Sequence, residues 1–244
     1  MTVSRYRHRI WAVGAACAGL LVCACAASSA EPAPGPLCAL SVTQECAPIG
    51  RTIDATVARV QLEALRVAGR APKSGYSRDQ FGERWSDDVS VPLGHNGCDT
   101  RNDILKRDLI QVSFVPRTRD CKVAAGELAD LYTGKDIHFV RGATTSDDVQ
   151  IDHVVALSDA WQKGAQQLSP ERRRDMANDP LNLQAVDGPT NQAKGDSDAA
   201  TWLPPSKGYR CTYVVRQIRV KAAYGLWVTG AEKAAMSTEL DSCG

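Results

Sequence analysis

The chain has 244 residues, 43% of them hydrophobic, which suits a globular protein with one sizeable core. Its 29 basic and 28 acidic residues leave a formal net charge of +1. Bulk charge therefore does not indicate a nucleic-acid-binding protein, and any such activity must rest on a local cluster of positive charge.

Residues 1–30 have the pattern of an export signal. Three arginines stand among the first nine residues, residues 10–22 form an apolar run, and the small residues from Ser28 to Ala30 form a cleavage site. The run is shorter than the roughly 20 residues that span a bilayer, so no stable membrane span is expected. We expect a secreted protein, with a lipoprotein signal acylated at Cys25 as the alternative.

Removal of the signal leaves 26 basic and 28 acidic residues and six of the nine cysteines. An even number of cysteines in an exported chain indicates disulfides. Sequence alone does not choose among the connectivities, and we take sequential pairing as the expectation. No Cys-x-x-Cys occurs and three histidines remain, which does not favour a thiolate zinc site. The six are Cys38, Cys46, Cys98, Cys121, Cys211 and Cys243.

The first elements of the chain follow the signal. Residues 31–50 form an extended Pro/Ala-rich leader, and the remaining residues, 51–244, are expected to form the single functional domain. Residues 52–68 predict an amphipathic helix capped by Thr52 and ended by Gly69. Its apolar positions are Ile53, Val57, Val60, Ala64 and Val67.

The central and C-terminal residues predict a mixture of helices and short strands. Residues 98–109 predict a helix opened by a capping box of Thr100 and Asp103. Pro189 predicts the first turn of a later helix. Residues 124–132 are ambiguous. Strands are predicted at 111–115, 139–141, 149–157 and 180–186, and further helices at 158–167, 213–226 and 231–240.

The pair Asp152-His153 is the strongest chemical signal in the sequence. Hydrolysis of a phosphodiester needs a base that activates water and a cation that holds developing charge. His153 has a suitable intrinsic pKa and is the only histidine beside a carboxylate ligand for a hard metal. Adjacent side chains of a strand point to opposite faces, so joint use of the pair predicts that the strand ends or bulges there.

Three segments together resemble a known family. These are Asp152-His153-Val154-Val155-Ala156-Leu157, residues 177–183 around Asn182, and Asn191-Gln192-Ala193-Lys194-Gly195. They are similar to the ββα-metal, or His-Me finger, motif of HNH endonucleases. The likeness extends to Trp202-Leu203-Pro204-Pro205 and upstream to residues 76–85 and 98–101, as in a secreted branch related to the nuclease domain of modification-dependent restriction enzymes.

This resemblance implies the fold and the roles of the residues. The fold would be α+β, with a ββα-metal core at about 149–200 embedded in a mainly helical, disulfide-bridged single domain. His153 would be the general base, Asn182 would orient it, and Asp152 and Asn191 would bind one divalent metal ion. The family more often has His at the position of Asn191. Oxygen ligands favour Mg²⁺ or Mn²⁺.

The substrate implied is nucleic acid, DNA rather than RNA, cut by a monomeric enzyme. Lys194 lies one helical turn after Asn191 and is either a phosphate ligand or a surface lysine. Residues 201–233 carry six basic residues against Glu232 alone, and Arg216 and Arg219 are candidate phosphate ligands. The alternative for this segment is a solvated helix face.

Two other functions stay open at this stage. The first is a catalytically silent relative that binds nucleic acid or an envelope partner, although Asp152, His153 and Asn182 are all present. The second is a secreted metallohydrolase of peptide or cell-wall bonds. The sequence lacks His-Glu-x-x-His and a Gly-x-Ser-x-Gly elbow, which disfavours that class.

Overall fold

Seven α-helices and five strands make up residues 55–243, the part of the chain that the computed structural model describes. The signal, the leader, Cys25, the pair Cys38–Cys46, and Thr52 and Ile53 lie outside these residues. The helices are α1 (Ala55–Ala64), α2 (Thr100–Asp108), α3 (Leu157–Gln162), α4 (Pro170–Asn178), α5 (Gly188–Lys194), α6 (Arg210–Tyr224) and α7 (Gly230–Asp241). The strands are β1 (Ile110–Phe114), β2 (Val123–Ala129), β3 (Asp136–Val140), β4 (Val149–His153) and β5 (Leu183–Asp187).

The strands form two separate antiparallel sheets. The first has the order β1-β2-β3. The second pairs β4 with β5, so that Val149 lies opposite Asp187 and His153 opposite Leu183. Helix α5 follows β5 directly and packs against both strands of this pair. The fold is therefore α+β, as expected, and a pair of strands followed by a helix carries the motif residues.

Three apolar clusters surround the β4–β5 pair. One joins α1, α6 and α7 and includes Leu62, Tyr213 and Met236. A second lies between α3, α4 and the C-terminal half of α6. The third packs α2 and the first sheet against Ile151 and Ala185. The pair is thus covered on both faces, and the side chains near its end have defined neighbours.

Helix α1 buries a different stripe from the one that its sequence predicts. Ala58, Leu62 and Leu65 are buried, whereas Val57 and Val60 are 45% and 68% exposed. The prediction for the buried face was wrong. Both stripes have helical spacing, and packing against α6 and α7 selects between them.

The other predicted elements are present, but β4 ends at His153 rather than at residue 157, and α3 ends at Gln162 rather than at residue 167. Two further differences concern helix starts. Asp99 rather than Thr100 caps α2, because its side chain accepts a hydrogen bond from the backbone N–H of Asn102 at 2.8 Å. Helix α4 was missed, although Ser169 at its N-cap and Pro170 in its first turn are ordinary signals of a helix start. The ambiguous residues 124–132 contain most of β2.

Two disulfides are present among the described residues, Cys98–Cys121 and Cys211–Cys243. Both follow the expected sequential pairing. The second ties the start of α6 to the residues after α7, and the first ties the start of α2 to the β1–β2 connection. In the same part of the chain, no helix is long and apolar enough to cross a bilayer.

A buried ion network holds the C-terminal helices to the rest of the molecule. Lys163 lies at the centre, fully buried, with its Nζ 2.7 Å from carboxylate oxygens of Asp159, Asp198 and Glu232. Lys221 and Arg70 supply the other positive charges. Burial alone would lower the pKa of Lys163, but the carboxylates raise it above its ordinary value. Three cations thus balance three carboxylates.

Replacing Lys163 by Met is expected to destabilise the protein by about 3–5 kcal/mol, because three buried carboxylates then share two cations. The matched control is Lys233→Met, which breaks only the pair of Lys233 with the exposed Glu63 and should cost about 0–1 kcal/mol. Urea unfolding followed by circular dichroism measures both. Equal midpoints for the two variants would show that the buried network contributes nothing specific.

Candidate active site

His153 is the last residue of β4, so the strand ends at the Asp-His pair, and the two side chains contact different groups on opposite sides of the strand. Its Nε2 lies 2.9 Å from the carbonyl oxygen of Ala177. A carbonyl can only accept, so Nε2 carries the proton and Nδ1 keeps the lone pair of the neutral ring. The indole of Trp85 stacks on the imidazole, with ring centroids 6.0 Å apart and planes at 10°. Both contacts restrict rotation of the ring.

The carbonyl that holds His153 belongs to the last turn of α4, where intrahelical partners are missing. The helix begins at the Ser169 cap and ends at Asn178, so the acceptor stands at a defined place. Asp179 follows and accepts a hydrogen bond from the Tyr224 hydroxyl at 2.7 Å. The end of α4 is thereby attached to α6.

Asn182 is fully buried and bonds only to main-chain groups. Its Oδ1 accepts from the N–H of Val155 at 2.8 Å, and its Nδ2 donates to the carbonyls of Val155 and Met176. Its own carbonyl accepts from Val154 N–H at 2.8 Å. Both ends of the amide are thus used by the backbone, and Asn182 affects His153 indirectly, by joining the residues after β4 to the end of α4.

Asp152 points to the other side of β4 and is 5% exposed. Its Oδ1 accepts from Lys194 Nζ at 2.8 Å and its Oδ2 accepts from the Tyr132 hydroxyl at 2.5 Å. Lys194 Nζ also donates to the carbonyl of His153 at 2.8 Å. Lys194 is 1% exposed, so the surface-lysine alternative is wrong, and because its ammonium bonds within the protein, contact with a phosphate stays a prediction. Its ammonium group connects Asp152 with the backbone of His153.

Tyr132, which no sequence signal marked, lies in the turn between β2 and β3. Trp202 packs edge-on against it with centroids 5.1 Å apart, and Tyr213 does so at 5.8 Å. Burial and the charge of Asp152 raise the pKa of Tyr132 well above its ordinary value, so the hydroxyl keeps its proton. The segment Trp202-Leu203-Pro204-Pro205 therefore contributes the aromatic wall behind the hydroxyl that holds Asp152.

Asn191 lies in the middle of α5, beside the face of β4 that carries Asp152. Its Nδ2 donates to Gln150 Oε1 at 2.9 Å, and Gln150 is two residues before Asp152 on the same strand. The helix starts where Asp187 accepts from the N–H of Thr190, and Gly188 follows because a Cβ there would overlap the carbonyl oxygen of Asp147. Helix α5 therefore sits close against β4.

Asp152 and Asn191 carry oxygen donors of the kind that a hard divalent ion prefers, and the ammonium of Lys194 already lies 2.8 Å from Asp152. Each ionised carboxylate oxygen of Asp152 accepts one hydrogen bond and has a second lone pair. Asn191 adds an amide oxygen, and Mg²⁺ is commonly held by one or two protein oxygens with waters and substrate phosphates completing its shell. Residues 55–243 contain no group of three or more His, Cys, Asp or Glu side chains that could hold a metal. The fit therefore rests on Asp152 and Asn191.

The basic segment 201–233 is a solvated helix face only in part. Lys221 is fully buried in the ion network, and Arg216 donates to the carbonyls of Leu181 and Leu183 and to Gln184. Arg219 is exposed on α6. The positive charges of Lys221 and Arg216 are thus largely used to hold α6 in place, and their role toward substrate stays a prediction, as does that of Arg219.

Burial lowers the pKa of His153 from 6.5 to about 4, against the opposing effects of the Ala177 carbonyl and Asp152. The positive charges of Arg78 and Lys194 lower it further. The imidazole is therefore neutral at physiological pH. Its unprotonated Nδ1 is the state that a general base requires.

A family model described as "GmrSD restriction endonucleases, C-terminal domain" matches residues 99–239. The chain belongs to this family. It is also 38% identical over 191 residues to an uncharacterized secreted protein of Arthroderma benhamiae, which covers 78% of this chain and 86% of that protein. No solved structure matches. The matched range includes Asp152, His153, Asn182, Asn191 and Trp202.

The site contains side chains that sequence reasoning did not assign. Trp85 lies within the upstream segment 76–85 that the resemblance had included, so a signal existed for it without a role. Ala177 contributes only its carbonyl, and a backbone contribution leaves no residue-type signal. Tyr132 had none because its partner Asp152 is 20 residues away in sequence.

The environment of His153 predicts its titration. In the metal-free protein, the NMR resonance of the His153 ring should titrate with a midpoint of about 4. Because this pKa lies below the unfolded value near 6.5, the titration of His153 should lower the free energy of unfolding, and so destabilise the fold, as pH falls from about 6.5 to 4. Trp85→Ala admits water to the ring and should move the midpoint toward 6.5. A midpoint near 6.5 in the unmodified protein would contradict the loss of hydration to which the lowered pKa is attributed.

Proposed function

We propose that the protein is a secreted, metal-dependent endonuclease of the HNH type that hydrolyses phosphodiester bonds of DNA. The observation that carries this proposal is the neutral imidazole of His153, fixed by the Ala177 carbonyl at the end of β4 and directly preceded by the buried carboxylate of Asp152. Membership of a restriction endonuclease family supports nucleic acid as the substrate.

His153 acts as the general base in this proposal. The Nε2–H group stays hydrogen-bonded to the carbonyl of Ala177, and Nδ1 accepts a proton from the attacking water. The ring then becomes a cation, which Asp152 favours electrostatically and a substrate phosphate favours further. Trp85 and Ala177 keep the ring in one orientation during this transfer. The orientation of the His153 ring therefore depends on groups other than the predicted site residues.

Asp152 and Asn191 hold the divalent ion in this proposal. When bound, the ion supplies positive charge for the phosphate oxygens and the leaving oxygen. Tyr132 and Lys194 hold the Asp152 carboxylate in one orientation, so its remaining lone pairs are presented without rotation. Lys194 also compensates the buried charge of Asp152 when no ion is present.

Export is supported by two further observations. The structure contains two disulfides, which persist in oxidising compartments, and the Arthroderma benhamiae relative is named a secreted protein. An extracellular nuclease meets nucleic acid outside the cell, where the disulfides keep its C-terminal helix attached.

His153→Ala is expected to abolish most nicking of supercoiled plasmid in Mg²⁺ or Mn²⁺, by roughly 10² to 10⁴ in rate, because the base is lost. The matched control is His138→Ala, since His138 is an exposed histidine on β3 paired with Glu127. Gel electrophoresis of plasmid forms measures the rate, and circular dichroism checks the fold. Normal turnover by a folded His153→Ala variant would refute the mechanism.

Asn191 allows the metal assignment to be tested separately. An amide oxygen beside a carboxylate suits Mg²⁺ or Mn²⁺, whereas imidazole at that position favours Ni²⁺, Co²⁺ or Zn²⁺. Asn191→His should keep some activity and shift the order of metals toward those ions, and Asn191→Ala should lose activity that extra metal restores only partly. Nicking rates against metal concentration report both. If Asn191→Ala equals the unmodified protein at limiting Mg²⁺, the ligand is another residue.

A further inference from the structure

The segment from Tyr76 to Trp85 precedes the motif by some 70 residues yet forms one side of the site. Phe81 is fully buried in the cluster beneath α3 and α4. Arg173 of α4 donates from Nε to the carbonyl of Gln80 at 2.7 Å. Gly82 packs so closely on Arg174 that a Cβ there would lie 3.1 Å from its side chain. The segment is therefore fixed to the helix whose end holds His153.

Trp85 completes the attachment with a strained backbone. Its φ is 58°, a conformation that is unusual for a bulky residue and occurs most often at functional sites. Its carbonyl accepts from Thr100 N–H at 3.1 Å, and Thr100 Oγ1 donates to the next carbonyl, that of Ser86, at 2.9 Å. The start of α2 thus holds Trp85 in the position from which it stacks on His153.

Arg78 is a partly buried cation of this segment, and the charge of the neighbouring Asp79 acts on it. Its side chain is partly buried, and Nη1 donates to the carbonyl of Gly82 at 3.1 Å. Within residues 55–243 its guanidinium forms no salt bridge, whereas the nearby Arg174 pairs with Asp88 at 2.8 Å. Burial and the charge of Arg84 lower the pKa of Arg78. A partly buried guanidinium with a second cation nearby indicates a place for an anion.

The contacts of Arg78 place it near His153. Its guanidinium bonds to the carbonyl of Gly82, three residues before the Trp85 that stacks on the imidazole, and its positive charge acts on that imidazole. Arg84 is exposed, and its positive charge also acts on Arg78. Arginine binds phosphate through two parallel N–H donors, and one bond to Gly82 leaves the other donors of the guanidinium available for it.

We propose that Arg78 binds a backbone phosphate of the nucleic acid next to His153, so that residues 76–85 form one wall of the substrate site. This inference rests on the proposed nuclease function and adds a substrate ligand from outside the motif. Trp85 acts as a positioning residue for His153, and Arg78 touches the substrate. The guanidinium would hold the phosphate beside the base and compensate charge that develops on it.

The test measures binding and cleavage separately, with the full chain. Binding of a fluorescent 20-base-pair duplex is followed by anisotropy in chelator at several salt concentrations, for the unmodified protein, Arg78→Gln, Arg78→Lys and the control Arg59→Gln. The control removes an arginine of α1 that pairs with the exposed Asp241. Arg78→Gln should bind about 10-fold more weakly, with a salt slope smaller by about 0.9, because one phosphate contact is lost. Arg78→Lys should keep the slope. Arg59→Gln should match the unmodified protein.

Cleavage of the same duplex in Mg²⁺ supplies the second readout. Arg78→Gln should lower kcat by roughly 10²-fold, and Arg78→Lys should also lower it because the paired donors are lost. Thermal unfolding identifies any variant that fails to fold, and Arg78→Lys then decides through kcat. Unchanged binding and slope for folded Arg78→Gln, or a normal kcat for Arg78→Lys, would overturn the phosphate site.

The outcomes also separate this inference from the function on which it rests. If the unmodified protein binds the duplex through Arg78 but cuts neither DNA nor RNA in any divalent metal, the nuclease proposal fails and the phosphate site is supported. If it cuts DNA while the variants of Arg78 bind and cut normally, the nuclease proposal is supported and the phosphate site is overturned.

Discussion

The hydrogen bonds of one buried amide, that of Asn182, hold the site together. A fully buried amide side chain loses its hydration and must find partners within the protein. Asn182 finds them in the main chain of Val155 on one side and Met176 on the other. The exit of β4 is thereby tied to the end of α4, and the next carbonyl of that helix, of Ala177, receives the imidazole of His153. A small change in the position of either element would move the imidazole relative to Asp152.

On the other side of β4 the controlling constraint is electrostatic. A carboxylate that is 5% exposed needs compensation, and Lys194 supplies it at 2.8 Å while Tyr132 fixes the second oxygen. The same Lys194 bonds the carbonyl of His153, so α5 orients the strand that carries both residues of the pair. This arrangement gives the segment around Trp202 a physical role, since its indole packs against the ring of Tyr132.

Distant parts of the chain enter the site because the core brings them there. Phe81 anchors the upstream segment under α4, and this anchoring carries Trp85 to the face of His153. The C-terminal helices are held to the rest of the molecule by the buried ion network around Lys163, which joins α3, α6 and α7. Basic residues that the sequence suggested as phosphate ligands thus partly form contacts within the fold, whereas Arg78, to which the sequence assigned no role, forms no salt bridge among the described residues.

The sequence by itself determined the features that depend on local chemistry or on residue order. Pro189 starts α5, and β4 and β5 lie within the predicted strand regions or next to them, because turn and strand preferences act over short distances. Only the tertiary structure decided how the described cysteines pair, which stripe of α1 is buried, that Lys194 is internal, and that Trp85 and Tyr132 contact His153 and Asp152. Those outcomes depend on which surfaces exclude water from one another and which buried charges find partners, and both are properties of the packed molecule.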